Sequence, residues 1–367
     1  MTNRIDTHGG NIYKEARIHG VRKEELLDYS ANINPLGVPE SLKKIILSNL
    51  EGLVNYPDPE CTELKEEIEK YLGVPCDRII AGNGASEIIF LLFEVLRPKK
   101  VLIPAPTFSE YAKAADSHGV AVKYYERKEE KGFHLNAEEL LEELEDEVEA
   151  ILLCNPNNPT STLMDKAELG KLVEHCSQRG ICVIIDEAFI ELTEGGNANS
   201  IVDLTGIHQN LFIIRAFTKY FAIPGLRLGY GIGSERIVRS MEEWKISWSV
   251  NSLAACSGKM LSLEREYMEK TALWLREEKE WLFSQLSKID RFNVFRPETN
   301  FILVKIVDSR LDAGSLKERM AEKGILIRHA GNFKFLNDQF FRVAVKDRTS
   351  NERFMRVIRE VMKEWEG

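Results

Sequence analysis

The sequence predicts an α/β protein, in which helices cover a mostly parallel sheet in a large domain that is followed by a smaller α+β domain. From about residue 75, short apolar runs alternate with longer amphipathic runs. Several apolar runs, such as AILLC (150–154), are continuous, which is typical of strands buried on both faces. After Ser249 the pattern changes to a long charged helical stretch and shorter strands. With 367 residues, the chain is long enough for two domains.

The alternating runs predict six strands and four helices in the large domain. The predicted strands are 78–81, 101–104, 121–124, 150–154, 182–186 and 211–214. The predicted helices are 85–96, 108–118, 137–144 and 166–179. Gly119 and Gly180 are placed to end helices, and Asp165 is placed to begin one. Such βα units predict a sheet of mostly parallel strands.

The change in pattern also sets the expected domain boundaries. Residues 1–30 resemble neither domain and are expected to form an N-terminal arm, with the large domain at 31–250 and the small domain at 251–367. One long linking helix is expected over about 253–288. The small domain is expected to contain strands 301–306, 326–328 and 341–345 and helices 316–323 and 351–364.

Composition excludes several classes of function. A hydrophobic content of 44% with 29% charged residues is ordinary for a globular protein. The net charge of −9 and the lack of a basic stripe argue against a nucleic-acid partner. No apolar run is long enough for a membrane span, and the polar N-terminus lacks the apolar core of a secretory signal, so a cytoplasmic location is expected. The six scattered cysteines indicate neither disulfides nor a metal site.

Ligands of parallel sheets bind where strands end and helices begin, so residues at these points are candidates for function. The segment GNGASE places Gly84, Ala85 and Ser86 at the start of a helix, where free N–H groups can bind a phosphate. A simple tight turn is the alternative for this segment. Phe108, in PAPTFSEY, could stack on a planar ring or could belong to the core.

Two further strand ends carry polar groups. In NPNNPTS, Asn158 offers an amide that can donate to an oxygen, although Asn and Pro also form ordinary turns. Asp186 ends an apolar strand, so its carboxylate needs a partner such as a protonated pyridine nitrogen. A helix N-cap is the alternative role for Asp186.

Lys219 lies just beyond the strand predicted at 211–214. Burial there would lower the pKa of the amine and leave it able to form a Schiff base with a carbonyl compound. A surface lysine on a loop is the alternative. Thr218 beside it and Arg227, eight residues further on, can bind a phosphate. A phosphate site, an amide donor, a buried carboxylate and this lysine together predict pyridoxal 5′-phosphate as the cofactor.

The same motifs, in the order GNGASE, PAPTFSEY, NPNNPTS, DEAF and TK with PGLRLG, resemble the fold type I pyridoxal-phosphate enzymes of the aspartate aminotransferase superfamily, from about Tyr29 onward. The resemblance implies that Lys219 bonds to the cofactor, Asp186 pairs with its ring nitrogen, Asn158 contacts its ring hydroxyl and Phe108 stacks on its ring. It implies that the phosphate is held by Gly84, Ala85, Ser86, Thr218 and Arg227.

The resemblance extends to the assembly and to the substrate. Tyr56, in NYPDP, is similar to a tyrosine that reaches the cofactor of a neighbouring subunit, which implies a homodimer. Arg342, in FFRVAVKDR, matches the arginine that binds the substrate carboxylate. A non-catalytic, aminotransferase-like regulatory module is a rival interpretation, but an intact Lys219 with Asp186 argues against it.

Within the superfamily, the segments THGGNIYKEA, SANINPLG, DEAFIE and TKYFAIPGLRLGY resemble the threonine-phosphate decarboxylases of cobalamin biosynthesis. These imply a phosphorylated amino acid, L-threonine O-3-phosphate, as substrate and (R)-1-aminopropan-2-yl phosphate as product. The histidinol-phosphate aminotransferases, which use 2-oxoglutarate, resemble most of the chain and remain the alternative. The segment HGGN and Phe189, where aminotransferases usually place a tyrosine, favour the decarboxylase.

Several residues are expected to bind the substrate in this family. They are His8, Gly9, Asn32, Arg328 and Arg342. Among other basic residues near Arg328, Lys334 is a candidate for the substrate phosphate and His329 is expected to be structural.

Overall fold

The computed structural model describes residues 9–365 of the chain. Within this range no helix is both long enough and apolar enough to cross a membrane. The helices are α1 (Ile12–His19), α2 (Glu40–Ser48), α3 (Thr62–Leu72), α4 (Ala85–Leu96), α5 (Glu110–Ser117), α6 (Ala137–Glu142), α7 (Lys166–Gln178), α8 (Phe217–Tyr220), α9 (Glu235–Trp244), α10 (Ser252–Cys256), α11 (Arg265–Leu286), α12 (Ala313–Glu322) and α13 (Arg348–Glu364). The strands are β1 (Leu27–Asp28), β2 (Ile79–Gly82), β3 (Lys100–Ala105), β4 (Ala121–Glu126), β5 (Val148–Cys154), β6 (Cys182–Asp186), β7 (Leu211–Ala216), β8 (Gly229–Ile232), β9 (Phe292–Val294), β10 (Phe301–Ile306), β11 (Ile325–Leu326), β12 (Arg328–His329) and β13 (Phe340–Ala344).

The centre of the molecule is a seven-stranded sheet in the order β2-β8-β7-β6-β5-β3-β4. Pairs among β3 to β7 are parallel, and β8 runs antiparallel to both of its neighbours. All six predicted strands are present, and the predicted α/β fold is confirmed. The order reverses between β3 and β5, so a crevice opens there at the carboxyl ends of the strands.

Both faces of this sheet are buried, as the continuous apolar strands predict. Along β5, Ala150 and Leu152 pack in one hydrophobic cluster, whereas Ile151 and Leu153 pack in another on the opposite face. Helices α4, α5 and α9 contribute to the first cluster, and α7 and α11 contribute to the second. Side chains alternate between the faces of a strand, so two helical layers cover one sheet.

The structure confirms the three residues that were predicted to end or begin helices. Gly119 and Gly180 adopt a positive φ just beyond α5 and α7, and the N–H groups that follow bond back to the last turns of these helices. Glycine adopts this left-handed conformation without the steric cost of a side chain. The Asp165 side chain accepts a hydrogen bond from the N–H of Ala167 and begins α7.

A four-stranded antiparallel sheet in the order β12-β13-β10-β9 forms the C-terminal part, with α12 and α13 packed nearby. The prediction of one strand over 326–328 is wrong. Ile325–Leu326 pairs in parallel with β1, whereas Arg328–His329 pairs with β13 in the four-stranded sheet. Because the two halves bond to different partners, the segment changes direction at the buried residue Ile327.

The prediction of one linking helix over 253–288 is also wrong. Helix α10 ends at Cys256, a 3-10 segment follows over Ser257–Ser262, and α11 begins only at Arg265. The 3-10 segment packs closely on α3, where a Cβ added to Gly258 would lie 2.7 Å from Cδ1 of Leu64. This close packing redirects the chain before the long helix begins.

Residues 27–29 pack into the C-terminal part of the molecule. Strand β1 pairs with β11, and the buried ring of Tyr29 lies 4.5 Å from that of Phe354. The Tyr29 hydroxyl donates to Oδ1 of Asn351 at 2.9 Å. Residues 30–33, which follow directly, line a cavity beside the large sheet. The division of the chain at residues 30 and 250 stays a prediction.

Candidate active site

A cavity of about 640 Å³ lies at the carboxyl ends of β5, β6 and β7 and is closed on its other side by the C-terminal part. Most of the predicted site residues line it. They are Gly9, Asn32, Ala85, Ser86, Phe108, Asn158, Asp186, Thr218, Lys219, Arg227, Arg328 and Arg342. The structure thus brings together residues that are widely separated in the sequence.

Asp186, the last residue of β6, is a buried carboxylate at the floor of the cavity. It accepts hydrogen bonds from the hydroxyl of Tyr111 at 2.8 Å and from the N–H of Ala188 at 2.9 Å. It forms no ion pair with any residue between 9 and 365. Burial raises the pKa of Asp186 to about 6 in spite of these hydrogen bonds. A cationic ligand nitrogen would supply the missing positive charge.

Tyr111 is a site residue that the sequence reasoning missed. Its fully buried ring packs edge-on against that of Phe108 with centroids 5.5 Å apart. The signal that could have found it is its place three residues after Phe108 in the same motif, PAPTFSEY. Tyr111 therefore connects the predicted stacking residue to Asp186.

Lys219 lies in the short helix α8, directly after β7. Burial lowers the pKa of its amine to about 8, helped by the positive charges of Arg342 and Arg227 and opposed by Asp28. A lysine with such a pKa has a larger neutral fraction near neutral pH than an ordinary lysine, and the neutral amine is the form that attacks carbonyl carbons.

The N-terminus of α4 forms an open site for an anion. No side chain caps this helix, and Gly84 precedes it with a φ of 81°. A Cβ on Gly84 would lie 2.5 Å from Nη2 of Arg227, and a Cβ on Gly229 would lie 2.4 Å from the nitrogen of Ala85. The two glycines let the helix, strand β8 and a guanidinium group meet closely. Free N–H groups beside this cation favour a phosphate. Gly229 was not among the predicted site residues.

Arg342 and Asn158 are joined in the cavity wall. Nη1 of Arg342, on β13, donates to Oδ1 of Asn158, and Nη2 donates to the backbone oxygen of Ser30 at 2.8 Å. Nε of Arg342 is buried without a partner among the described residues. Burial, together with the charge of Arg328, lowers the pKa of Arg342 to about 9. Because the Asn158 oxygen is occupied, its amide N–H groups are the ones left to donate to a ligand.

Arg328 is a second buried arginine beside Arg342. The two residues are register partners on the antiparallel strands β12 and β13, and both line the cavity. Arg328 donates to Oδ1 of Asn332 at 2.8 Å, and its guanidinium lies 5.2 Å from the ring centre of Phe333. Like charges directly opposite each other on neighbouring strands repel, and an anion between them removes that cost.

Two phenylalanines complete the walls. Phe108 and Phe189 both line the cavity, and the ring of Phe189 packs edge-on against Phe301 with centroids 5.0 Å apart. Phe189 brings an apolar face to a position near Asn158 and Asp186 and offers no hydroxyl donor there.

Five of the predicted residues are not among the described residues that line this cavity, and one of them, Gly84, directly precedes the lining residue Ala85. Tyr56 is 80% exposed, lies outside the lining and packs against Trp248 with ring centroids 4.8 Å apart. His8 lies outside the described residues. Neither His329 nor Lys334 lines the cavity: Nε2 of His329 lies 3.2 Å from Oδ1 of Asp338, and the Lys334 amine lies 5.3 Å from the ring centre of the exposed Phe335.

The described residues fit pyridoxal 5′-phosphate. The cofactor's ring nitrogen would meet the unpaired carboxylate of Asp186, its phosphate would meet the N-terminus of α4 with Arg227, and its aldehyde would meet Lys219. Within residues 9–365, no group of three or more His, Cys, Asp or Glu residues could hold a metal ion. All six cysteines are free.

Over most of its length the chain is similar to known proteins. The family model for aminotransferases of class I and II matches residues 24–358. A provisionally named threonine-phosphate decarboxylase from Caldanaerobacter subterraneus subsp. tengcongensis is 40% identical over 97% of this chain and 94% of its own. The threonine-phosphate decarboxylase of Salmonella typhimurium is 34% identical over 97% of this chain and 96% of its own.

Among solved structures, the histidinol-phosphate aminotransferase from Clostridium acetobutylicum superposes with a TM-score of 0.86 at 35% identity, covering 92% of this chain and 100% of that one. The family match covers nearly all of the described residues, including all three sheets. The chain therefore belongs to the class I and II aminotransferase family.

Proposed function

We propose that the chain decarboxylates L-threonine O-3-phosphate with the family's cofactor, pyridoxal 5′-phosphate, and releases (R)-1-aminopropan-2-yl phosphate for cobalamin biosynthesis. The observation that carries the proposal is the register pair of buried arginines, Arg328 and Arg342, which both line the cavity. A substrate with both a phosphate and a carboxylate offers anionic groups that arginines bind well. The names of the two relatives above support the same reaction.

The arginine pair also bears on which bond breaks. A substrate held at two separate anionic groups has little freedom to rotate about its Cα, so the positions of the arginines select the bond that is oriented for cleavage. The phosphate takes no part in the bond changes, so its binding energy serves to fix this geometry. Selection of the carboxyl bond over the hydrogen is thus a matter of positioning.

When bound, pyridoxal 5′-phosphate supplies a cationic ring that accepts the electron pair left at the substrate Cα. The buried carboxylate of Asp186 would pair with the ring nitrogen and favour its protonated form. The carboxyl carbon leaves as CO₂, and the amine of Lys219 delivers the proton that takes its place on Cα. Phe189 and residues of the C-terminal part line the same volume.

Histidinol-phosphate aminotransferase is a second candidate, because the solved structure of such an enzyme is 35% identical to this chain. Its substrate is also a phosphorylated amine and suits the same arginines. The apolar ring of Phe189 favours the decarboxylase, since a tyrosine hydroxyl at this place would donate to the ring oxygen and change the electronic properties of the cofactor.

An assay of the purified protein with two sets of substrates separates the candidates. We expect CO₂ release from O-phosphothreonine without any oxo acid, and no glutamate from histidinol phosphate with 2-oxoglutarate. Unphosphorylated threonine is the control, and we expect its kcat/KM to be lower by about 10²-fold or more because the phosphate contacts are missing. Glutamate formation with no CO₂ release would replace this proposal by the aminotransferase.

We also infer a homodimer. Exposed apolar side chains concentrate in two stretches, 47–56 and 244–248, which the contact of Tyr56 with Trp248 brings together. Val54 is 86% exposed and Ile246 is 75% exposed. An apolar surface of this kind is typical of a protein interface. In a symmetric dimer it would place Tyr56 near the partner's cavity.

A mixing experiment tests this assembly. Tyr56→Ala and Lys219→Ala variants are each expected to have low activity, but a hybrid dimer contains one site with both residues intact. After mixed unfolding and refolding, about a quarter of wild-type activity is expected, since roughly half of the dimers are hybrids with one complete site. Mixtures that stay as inactive as the separate variants would show that Tyr56 serves its own chain or no site at all.

A cytoplasmic location belongs to the same proposal. It is supported by the six unpaired cysteines, which are typical of proteins kept in a reducing compartment.

A further inference from the structure

Ser30 lies where the N-terminal segment meets the cavity. It is 6% exposed and lines the cavity. Its hydroxyl donates to Oδ1 of Asp28 at 2.6 Å, and its backbone N–H donates to the same oxygen at 2.8 Å. The N–H of Gly10 then donates to the Ser30 hydroxyl at 2.7 Å. Because the Ser30 hydroxyl donates its proton to the Asp28 carboxylate, its oxygen can act only as an acceptor for the N–H of Gly10.

The backbone of Ser30 binds the other side of the site. Its carbonyl oxygen accepts from Nη2 of Arg342 at 2.8 Å. Gly9 sits so close to the same carbonyl group that a Cβ on it would lie 2.3 Å from the oxygen. One residue therefore contacts both the N-terminal segment and an arginine assigned to the substrate.

The chain that follows Ser30 continues to the cofactor lysine. Asn34 is buried, and its N–H donates to the backbone oxygen of Lys219 at 3.1 Å. Its side chain donates to the backbone oxygen of Tyr220 at 2.9 Å. Residues 30–34 thus form a strip that links the N-terminal segment, Arg342 and Lys219 through direct hydrogen bonds. At one end of the strip Ser30 bonds to Gly10 and Arg342, and at the other end Asn34 bonds to Lys219 and Tyr220.

We propose that Ser30 is a positioning residue: its hydroxyl holds Gly9 and Gly10 in place at the rim of the cavity. The same residue binds Arg342 through its carbonyl group, so the two glycines lie beside this arginine. Substrate that binds Arg342 then meets an N-terminal segment already in place, so the ordering cost of that segment is met before binding. The role concerns binding and not bond breaking, because the hydroxyl contacts neither Lys219 nor Asp186. This inference rests on the proposed function only for the choice of substrate.

The Ser30→Ala variant tests the role, since it removes the hydroxyl and leaves the carbonyl group that binds Arg342. We expect faster amide hydrogen exchange at Gly10 and along α1 in the substrate-free holoenzyme. We also expect KM for O-phosphothreonine to rise roughly five- to tenfold, the effect of one lost hydrogen bond, with kcat changed less than about twofold. The absorption spectrum of the bound cofactor should stay the same.

Two further variants serve as a second probe of the same contact and as a control. Gly9→Ala disturbs the same seat from the other side, so its effect on KM should not add to that of Ser30→Ala in the double variant. Ser41→Ala, which removes a buried hydroxyl without a partner among the described residues, is the control and should change neither exchange nor KM.

Each other outcome overturns the inference. Unchanged exchange in Ser30→Ala would show that the hydroxyl does not hold the segment, and faster exchange with unchanged KM would show that the seat is irrelevant to substrate. A fall in kcat at constant KM would assign Ser30 to the chemical step. If the wild-type protein does not release CO₂ from O-phosphothreonine, the proposed function fails, while the exchange measurement still tests the seat and KM is measured with histidinol phosphate.

Discussion

Replacing Lys219 by alanine is expected to lower kcat by on the order of 10⁴, because the amine is needed both to bond to the cofactor and to move a proton at the substrate Cα. Borohydride treatment of the wild-type holoenzyme is expected to fix a pyridoxyl group on Lys219, which mass spectrometry of the digested protein locates. In the variant no such label should appear, although noncovalent cofactor can still bind at the N-terminus of α4.

Lys113 provides the matched control, since it also lines the cavity but has an exposed side chain paired with Glu110. A Lys113→Ala variant should keep the pyridoxyl label on Lys219. Label on Lys113 in the wild-type protein, or full activity in Lys219→Ala, would contradict the assignment and remove the enzyme mechanism built on it.

Replacing Asp186 by asparagine is expected to stabilise the cofactor-free protein at pH 8 while it lowers kcat of the holoenzyme by on the order of 10² or more. The pKa of Asp186 is about 6 in the folded chain, above its ordinary value of 3.8. Folding therefore disfavours the ionised form. This penalty is small below about pH 4, grows as pH rises, and is fully present above about pH 6, where it amounts to about 1–3 kcal/mol. The asparagine carries no such penalty.

Urea unfolding of the cofactor-free proteins at pH 5 and pH 8 measures this effect. The free energy of unfolding of Asp186→Asn should exceed that of the wild type, and the excess should be larger at pH 8 than at pH 5. Asp290→Asn, at an exposed position, is the control and should change the free energy by less than about 0.5 kcal/mol at both pH values. If Asp186→Asn lowers the free energy of unfolding by the same amount at both pH values, ionisation of the buried carboxylate does not destabilise the folded protein.

Much of the large sheet was predictable because its strands are continuous apolar runs that end at polar residues. Strand β8 was not predicted, since Gly229 and Gly231 give it a weak strand pattern. Tertiary packing explains why glycine is needed in this strand, because a Cβ on Gly231 would lie 2.5 Å from the ring of Phe212. The break after α10 has a similar cause, because Gly258 fits against Leu64 of a distant helix.

The candidate site likewise contains residues that the sequence predicted and residues that it did not. The residues expected to touch the cofactor follow individual strands, so motif order alone indicated Asp186 and Lys219. Tyr111 and Ser30 act through hydrogen bonds to residues 75 and 312 positions away in the chain. No local pattern in the sequence reports such distances, and only the folded arrangement of the sheet and the C-terminal part reveals them.

The pairing of β1 with β11 has a consequence for how the chain becomes functional during synthesis. Leu27 and Asp28 find their strand partners only at Ile325 and Leu326. Contacts between residues so far apart form late, because a long loop must close before they contribute any stability. A ribosome-bound chain that already contains Asp186 and Lys219 still lacks Arg342 and the partner of its own N-terminal segment. Catalytic competence is therefore expected to appear only when almost the whole chain has been made.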